Sequence, residues 1–284
     1  MKNDFESLIS DIRSIVLNVD DALLDSFDIY AQEARFARRI FDSDLCKLPP
    51  GAAVLEVGAG MMLMSCQLVR EGFDVTALEP FGEGFSHFAT LQKLIKDYAA
   101  ENDIEPLYLE CGAEDLTARN KFDYALSSNV MEHVGDVGKA LERVYLSLKS
   151  NGEYRFICPN YAFPYEPHFN MPTLGSKKLT ERLMWKRIKD DTRLPDPVGT
   201  WKSLNWITPK MIKNTCCDKM KPGIRFNSSI FSKYLERALN DPLFQKRRGK
   251  YLSGFLRFMS SLGAFKLVGL MPVQLLPVID CTVI

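Results

Sequence analysis

The chain has 284 residues, with 36 Lys and Arg balanced by 36 Asp and Glu, and 46% of its residues are hydrophobic. This length is enough for one large domain or two small ones with a full core. The net charge is zero, whereas nucleic-acid-binding domains usually have an excess of Lys and Arg, so we expect no nucleic-acid partner.

Hydropathy and cysteine usage predict a cytoplasmic protein. No apolar run reaches the roughly 20 residues of a membrane-spanning helix, and the acidic first residues do not resemble a secretory signal. The seven cysteines are scattered without C-x-x-C spacing, which is typical of reduced thiols. The histidines, His87, His133 and His168, have no clustered partners at metal-ligand spacing, so we expect no metal site.

Residues 1–45 show the periodicity of helices. Leu8, Ile12 and Val16 recur at helical spacing, and a second apolar set follows Asp20, which can cap a helix. We predict a helical cap that packs on the core. A cover over a ligand pocket is the alternative role.

Strands and helices alternate between residues 52 and 160. Five apolar runs predict strands, the last of them after an Asn151-Gly152 turn: AAVLEVG, DVTALEP, PLYLEC, FDYALSS and EYRFIC. Two further runs, GIRFNSS and PVIDCTVI, lie near the C-terminus. Short connections between alternating elements predict an α/β fold with a Rossmann-like, doubly wound, mostly parallel sheet of seven strands.

The rest of the chain is interpreted around this sheet. We expect a single domain, residues 1–284, whose cofactor-binding core is 52–160. Residues 160–207 hold all three tryptophans and form a long insertion after the fifth strand, which predicts a substrate lid. Residues 208–284 would complete the sheet and carry a helical insertion.

The first predicted strand ends in a glycine turn. Gly58 and Gly60 allow close approach of a ligand, and the following helix start offers N–H groups. A dinucleotide site would have a third glycine where Leu63 stands. Glu79 ends the second strand, where a carboxylate can accept both hydroxyls of a ribose. The alternative for Glu79 is a solvated strand end.

The third and fourth strands also end in polar groups. Ala113-Glu114 suits the edge of an adenine, although acids at a helix start have the same pattern. The fourth strand continues into the run Ser128-Asn129-Val130-Met131-Glu132-His133.

Together the motifs LEVGAG, ALEP, GAEDL and SSNVMEH carry a family resemblance. Residues 52–160 resemble a class I S-adenosylmethionine-dependent methyltransferase, most closely the branch that acts on small molecules. The resemblance implies S-adenosylmethionine as cofactor. The chain departs from the family at Met62, where a third glycine is usual.

The resemblance also implies which residues contact the cofactor. The methionine part would contact Glu56, Gly58, Ala59 and Gly60, and the ribose would contact Glu79 and Pro80. The adenine would contact Ala113 and Glu114. The reactive side of the cofactor would contact Ser128, Asn129 and Val130.

Transfer to oxygen requires a group that accepts the proton of the methyl acceptor, and histidine has a suitable pKa. His133 and His168 are the candidates, and the alternative for His133 is a structural role in its loop. We expect Tyr161, Tyr165 and Trp201 to bind the substrate.

The predicted function is methyl transfer to a small-molecule or lipid-linked biosynthetic intermediate, at oxygen. The alternatives are a protein that binds S-adenosylmethionine without turnover and a methyltransferase that acts on a protein or RNA. Four basic residues, Lys246, Arg247, Arg248 and Lys250, precede an apolar helix face, which predicts either weak peripheral membrane contact or a helix facing the core. The sequence does not indicate an oligomeric state.

Overall fold

The computed structural model describes residues 5–80, 86–219, 223–248 and 271–284. The chain divides into two compact units: residues 1–128, 139–154 and 284, and residues 129–138 and 155–283. Among the helices described, none combines the length and the apolar character that crossing a membrane requires. The helix for which membrane contact was predicted lies outside the described residues, which include only Lys246, Arg247 and Arg248 of the basic segment before it.

The first unit begins with the predicted helical pair, α1 (Phe5–Val19) and α2 (Leu24–Leu45). The Asp20 side chain accepts a hydrogen bond from the N–H of Ala22 and so caps the turn between the helices. The apolar stripe of α1 is buried in one core with residues of the helices that follow the first two strands. Arg35 forms an ion pair with Glu6, at 2.7 Å, between the two helices.

Strands and helices then alternate as predicted. The elements are β1 (Ala53–Val57), α3 (Leu63–Arg70), β2 (Asp74–Leu78), α4 (Ser86–Glu101), β3 (Leu107–Leu109), β4 (Phe122–Ser128) and α5 (Val137–Ser147). Strand β1 pairs in parallel with both β2 and β4, and β2 pairs in parallel with β3. All five residues of β1 are buried, as expected for a central parallel strand.

The fifth strand, β5 (Leu148–Pro159), differs from the prediction at its start. The Asn151-Gly152 pair, predicted as a turn, lies inside the strand. A Cβ on Gly152 would lie 2.9 Å from the carbonyl oxygen of Phe122. Glycine is therefore required here for close approach of two backbones, and not for a turn.

The second unit holds the long insertion and the last strands. Its elements are β6 (Tyr165–Glu166), β7 (Met171–Pro172), α6 (Lys177–Lys189), α7 (Pro197–Ser203), α8 (Pro209–Lys219), β8 (Ile224–Phe226), α9 (Ile230–Asn240), α10 (Pro242–Arg248) and β9 (Val278–Val283). Strands β6 and β7 form a small antiparallel pair that the sequence did not predict. Strands β8 and β9 are also antiparallel. The buried guanidinium of Arg155 donates to both carboxylate oxygens of Asp280, at 2.8 and 2.7 Å.

The sheet has seven strands in the order β3-β2-β1-β4-β5-β9-β8. The predicted fold class, a mostly parallel Rossmann-like sheet with helices around it, is confirmed. The strand order reverses direction between β1 and β4, and ligands of such sheets bind at this kind of reversal. A ligand site is therefore expected at the turns that follow β1, β2 and β4.

Candidate active site

The turn after β1 belongs to the first unit and is built by two glycines. Gly58 and Gly60 have φ angles of +73° and +53°, a region that side chains rarely adopt. The N–H of Gly60 donates to Oε2 of Glu79 at 2.8 Å, and Gln92 donates to the Gly60 carbonyl at 3.0 Å. A Cβ on Gly60 would meet nothing within 4 Å, so there is open space beside this turn.

Glu79 follows β2 and is half-buried. Burial raises the pKa of its carboxyl, and the hydrogen bond from Gly60 opposes that effect. The hydroxyl of Tyr108 donates to the Glu79 carbonyl at 3.2 Å, which fixes the backbone at this position. Pro80, the next residue, is exposed.

Glu56 lies inside β1 and is buried. Its carboxylate accepts a hydrogen bond from the hydroxyl of Ser65 in α3. Burial raises the pKa of Glu56 to about 8, although the hydrogen bond from Ser65 acts in the opposite direction. A positive group beside Glu56 would return this pKa towards its ordinary value.

The backbone conformation of Met62 is one that favours glycine. Its φ is +58°, in the left-handed region, and its side chain is only 1% exposed. Met61 and Met64 are buried too. The three methionines therefore pack in the core of the first unit, as expected for core side chains.

The first unit holds four more residues that were predicted to contact the cofactor: Ala59, Ala113, Glu114 and Ser128. Ala113 is buried in a single 3₁₀ turn, residues 113–115, and Glu114 in the same turn is half-buried. Ser128 is the last residue of β4 and is also half-buried. Ala59 is buried, and its N–H donates to the carbonyl of Leu78 at 3.1 Å.

In the second unit, residues 129–134 form a tight loop held by hydrogen bonds. Asn129 adopts a left-handed φ of +57°, and its N–H donates to the carbonyl of Ile157 at 2.8 Å. The carbonyl of Val130 accepts from the N–H of His133. The side-chain amide of Asn205 donates to the carbonyls of Met131 and Val134, at 2.7 and 2.9 Å.

This loop and the insertion bring both candidate histidines together. The rings of His133 and His168 lie 5.2 Å apart and meet edge to face. Nδ1 of His133 is 2.8 Å from the hydroxyl of Ser203, and Nδ1 of His168 is 2.6 Å from Oε1 of Glu166. Nε2 of His133 is 4.0 Å from Oε1 of Glu132, which is fully buried.

Burial controls the protonation of this cluster. It raises the pKa of Glu132 to about 7, while the nearby His168 acts to lower it. Burial and the neighbouring His168 lower the pKa of His133 to about 4. Burial alone would raise the pKa of Glu166, but hydrogen bonds, above all from His168, hold it below its ordinary value. At neutral pH this gives an ionised Glu166 and a neutral His133.

The predicted substrate residues surround Glu166 and an aromatic group. Tyr161 donates its hydroxyl to Glu166 at 3.1 Å and stacks on Trp206, with ring centroids 4.4 Å apart. Trp201 is 1% exposed and packs edge to face against Trp206, so it lies in the interior of the insertion. The Trp201 indole N–H has no hydrogen-bond partner among the described residues. Tyr165 is half-buried and donates to Asn170.

Several polar residues of this cluster were missed from the sequence. Glu132 was quoted only as part of a motif, and Glu166, Ser203 and Asn205 were not singled out. The sequence places two of them beside a candidate histidine: Glu132 adjoins His133, and Glu166 is two positions from His168. Ser203 is 70 positions from His133, and Asn205 is 74 positions from Met131, so only the fold brings these two close.

A family model described as a methyltransferase domain matches residues 30–205, well over half of the chain. The chain belongs to this methyltransferase family. It is an S-adenosylmethionine-dependent methyltransferase with the class I Rossmann-like fold, as the sequence motifs predicted.

The chain is similar to the following three proteins. An uncharacterized protein of Mycobacterium tuberculosis is 45% identical over 250 residues, which cover 88% of this chain and 84% of that protein. The ubiquinone biosynthesis O-methyltransferase of Caulobacter vibrioides is 33% identical over 127 residues, 43% of this chain and 47% of that enzyme. A geranyl diphosphate methyltransferase solved in complex with SAM has a TM-score of 0.51 at 13% identity, covering 93% and 90% of the two chains.

The residues of the first unit fit the cofactor S-adenosylmethionine. Open space lies beside Gly60, where a side chain would otherwise stand. The Glu79 carboxylate borders the same turn and has the acceptor oxygens that ribose hydroxyls need. The buried Glu56 carboxyl is suited to a cationic amino group.

Proposed function

We propose that this methyltransferase methylates an oxygen atom of a small-molecule or lipid-linked biosynthetic intermediate in the cytoplasm. The observation that carries the proposal is the cluster of two imidazoles and a buried carboxylate in the second unit. A hydroxyl must lose its proton as it becomes a nucleophile, and such groups assist that loss. The partial similarity to a ubiquinone biosynthesis O-methyltransferase supports the choice of oxygen.

The cofactor supplies an activated methyl group, and the chain's own residues hold and orient it. We assign Glu56, Gly58, Ala59 and Gly60 to its methionine part, because they form the turn after β1. The ribose would be held by Glu79 beside Pro80, and the adenine by Ala113 and Glu114. Ser128, Asn129 and Val130, which end β4 and open the next loop, would face the reactive side.

We assign the proton chemistry to His133 and His168. Ser203 donates its hydroxyl to the carbonyl of Thr200, so it accepts from Nδ1–H of His133. That hydrogen bond leaves the lone pair of His133 on Nε2. Tyr161, Tyr165 and Trp201 remain the proposed substrate residues; because Trp201 is buried, it would act by shaping the insertion.

The exposed face of α6 supports a lipid-linked acceptor. It combines large apolar side chains with cations and suits an anionic lipid surface: Leu179, Leu183 and Trp185, with Lys178, Arg182, Lys186 and Lys189. Co-sedimentation with anionic and with neutral vesicles would test whether this face of α6 binds a lipid surface. Binding to anionic vesicles alone is expected, and no binding to either would leave a free small molecule as the acceptor.

The decisive test uses the methyl group itself. Incubation of the full chain with ¹³C-methyl-labelled S-adenosylmethionine and a metabolite or lipid extract should give one labelled product. Its ¹³C chemical shift distinguishes an O-methyl from an N- or S-methyl group. Label on nitrogen, on a protein or on RNA would contradict the proposal. Binding of the cofactor without any labelled product would favour a binding protein that does not turn over.

A further inference from the structure

Glu132 is the residue of the second unit whose environment is hardest to explain without a ligand. It is 0% exposed, and among the described residues neither of its carboxylate oxygens has a hydrogen-bond partner. A buried carboxylate without hydrogen-bond partners is costly for folding. A bound ion is one of the arrangements that satisfies such a group.

Two histidines present nitrogen atoms to the same place. One ligand atom from each of Glu132, His133 and His168 lies within 4.8 Å of the other two. Two imidazoles and one carboxylate are the ligand set of catalytic zinc sites that keep a position open. The same set also binds Fe²⁺, and carboxylate together with imidazole accepts Mn²⁺ and Co²⁺.

Hydrogen bonds behind the histidines orient both rings for such a role. Nδ1–H of His133 donates to Ser203, and Nδ1–H of His168 donates to Oε1 of Glu166, whose Oε2 accepts from the N–H of Phe169. In each ring the lone pair is therefore on Nε2, the form that coordinates a metal. A carboxylate or hydroxyl that fixes the tautomer of a ligating histidine is the usual outer-shell arrangement of metal sites. Tyr161 adds a second donor to Glu166 and holds it in place.

We propose that Glu132, His133 and His168 form a binding site for one divalent transition-metal ion. Ligand atoms around a tetrahedral zinc ion lie about 3.3 Å apart, since metal–ligand distances are about 2.0 Å. Nε2 of His133 and Oε1 of Glu132 are 4.0 Å apart, so binding draws these side chains together by less than about 1 Å. The sequence predicted no metal site because His168 is far along the chain from the other two ligands.

The consequence for catalysis rests on the proposed function. An ion with an open position would coordinate the hydroxyl of the methyl acceptor and lower its pKa, so that its proton passes to solvent near neutral pH. With the ion bound, His133 and His168 would carry out the proton chemistry assigned to them through the ion that they hold. This narrows the acceptor to an oxygen compound that can coordinate a metal, such as a phenol or an enol.

The test measures metal binding without cofactor or acceptor. The full chain is stripped with a chelator, and Co²⁺ is added while its visible absorption and the bound metal are followed. One equivalent of bound Co²⁺ with d–d bands, displaced by Zn²⁺, is expected. Glu132→Gln and His168→Ala should each weaken Co²⁺ binding by roughly 100-fold or more. Cys46→Ser, which removes an exposed thiol, should bind as the wild type does.

Three outcomes overturn the site: no bound ion in the wild type, wild-type affinity for Co²⁺ in both ligand variants, or loss of binding in Cys46→Ser. Circular dichroism tests whether each variant is folded. If Glu132→Gln does not fold, His133→Gln takes its place as a ligand variant. The proposed function fails separately: an intact metal site with label transferred to nitrogen refutes O-methylation alone. Label on oxygen with no bound metal refutes the metal site alone.

Discussion

The buried carboxyl of Glu56 makes the stability of the protein depend on pH. Its folded-state pKa of about 8 lies above the ordinary value of 4.5. Between these values the folded state binds more protons than the unfolded state, so the free energy of unfolding falls as pH rises through this window. Each pKa unit of separation contributes about 1.4 kcal/mol. Urea unfolding of the cofactor-free protein at pH 5 and pH 8 should show this loss.

Replacing Glu56 by Gln should remove that contribution. Glu56→Gln is expected to make the dependence between pH 5 and pH 8 less steep, because the amide does not titrate, while the buried Glu132, with a pKa of about 7, still contributes. Glu101→Gln, at an exposed position in α4, serves as the control and should keep the slope of the wild type. The same slope in wild type and Glu56→Gln would show that another group carries the pH dependence.

Met62 makes two opposing contributions to stability: its left-handed backbone conformation is unfavourable, and the burial of its side chain is favourable. A left-handed φ costs a non-glycine residue about 1–2 kcal/mol, whereas removal of a buried Met side chain costs about 2–5 kcal/mol. The packing term is the larger, so Met62→Gly should lower the free energy of unfolding by about 1–3 kcal/mol. Asn120→Gly has a similar φ of +47° on an exposed residue and should be neutral or stabilising. Chemical denaturation compares the two, and a stabilised Met62→Gly would contradict this reasoning.

At the level of elements, β5 depends on the missing side chain of Gly152. A Cβ there would press on the backbone of β4, at 2.9 Å from the Phe122 oxygen. Gly152→Ala is expected to cost about 1–3 kcal/mol in thermal or chemical unfolding. In Gly112→Ala the new Cβ meets only the movable carboxylate of Glu114, so the change in stability should be small. Equal losses in both variants would show that overpacking at β4 is not the cause.

The loop after β4 depends on Asn205. Its amide donates to two backbone carbonyls, and its N–H donates to the carbonyl of Glu132 at 2.8 Å. Asn205→Ala removes these two bonds and the one that Oδ1 of Asn205 accepts from the N–H of Ile207, which should cost about 1–3 kcal/mol of stability and lower methyl transfer. Asn214→Ala, on the exposed side of α8, is the control. Unchanged stability and turnover in Asn205→Ala would mean that the loop is held by other contacts.

The strands and helices could be predicted because their patterns are local. The alternation of apolar runs and helices identified the sheet, and the LEVGAG motif located the turn at Gly58 and Gly60. Asn151-Gly152 misled the prediction because the same dipeptide serves a hairpin turn or a close backbone approach. The cluster around Glu132 could not be predicted, because His168 reaches it only through the fold of the insertion.

For the whole molecule, we propose that the turn after β1 and the carboxylate of Glu79 hold S-adenosylmethionine. The glycine turn, the strand order and the family match all support this assignment. Glu79→Ala should weaken cofactor binding by about 10–100-fold, since hydrogen bonds to a charged group contribute about 1.5–3 kcal/mol. Glu110→Ala changes an exposed carboxylate just beyond β3 and should leave binding unaltered.

Calorimetric titration of the full chain with S-adenosylmethionine and, separately, with NAD tests this claim most directly. We predict one equivalent of bound S-adenosylmethionine, markedly weaker binding in Glu79→Ala alone, and no comparable binding of NAD. Preference for NAD, or the same affinity for S-adenosylmethionine in wild type and Glu79→Ala, would contradict the account.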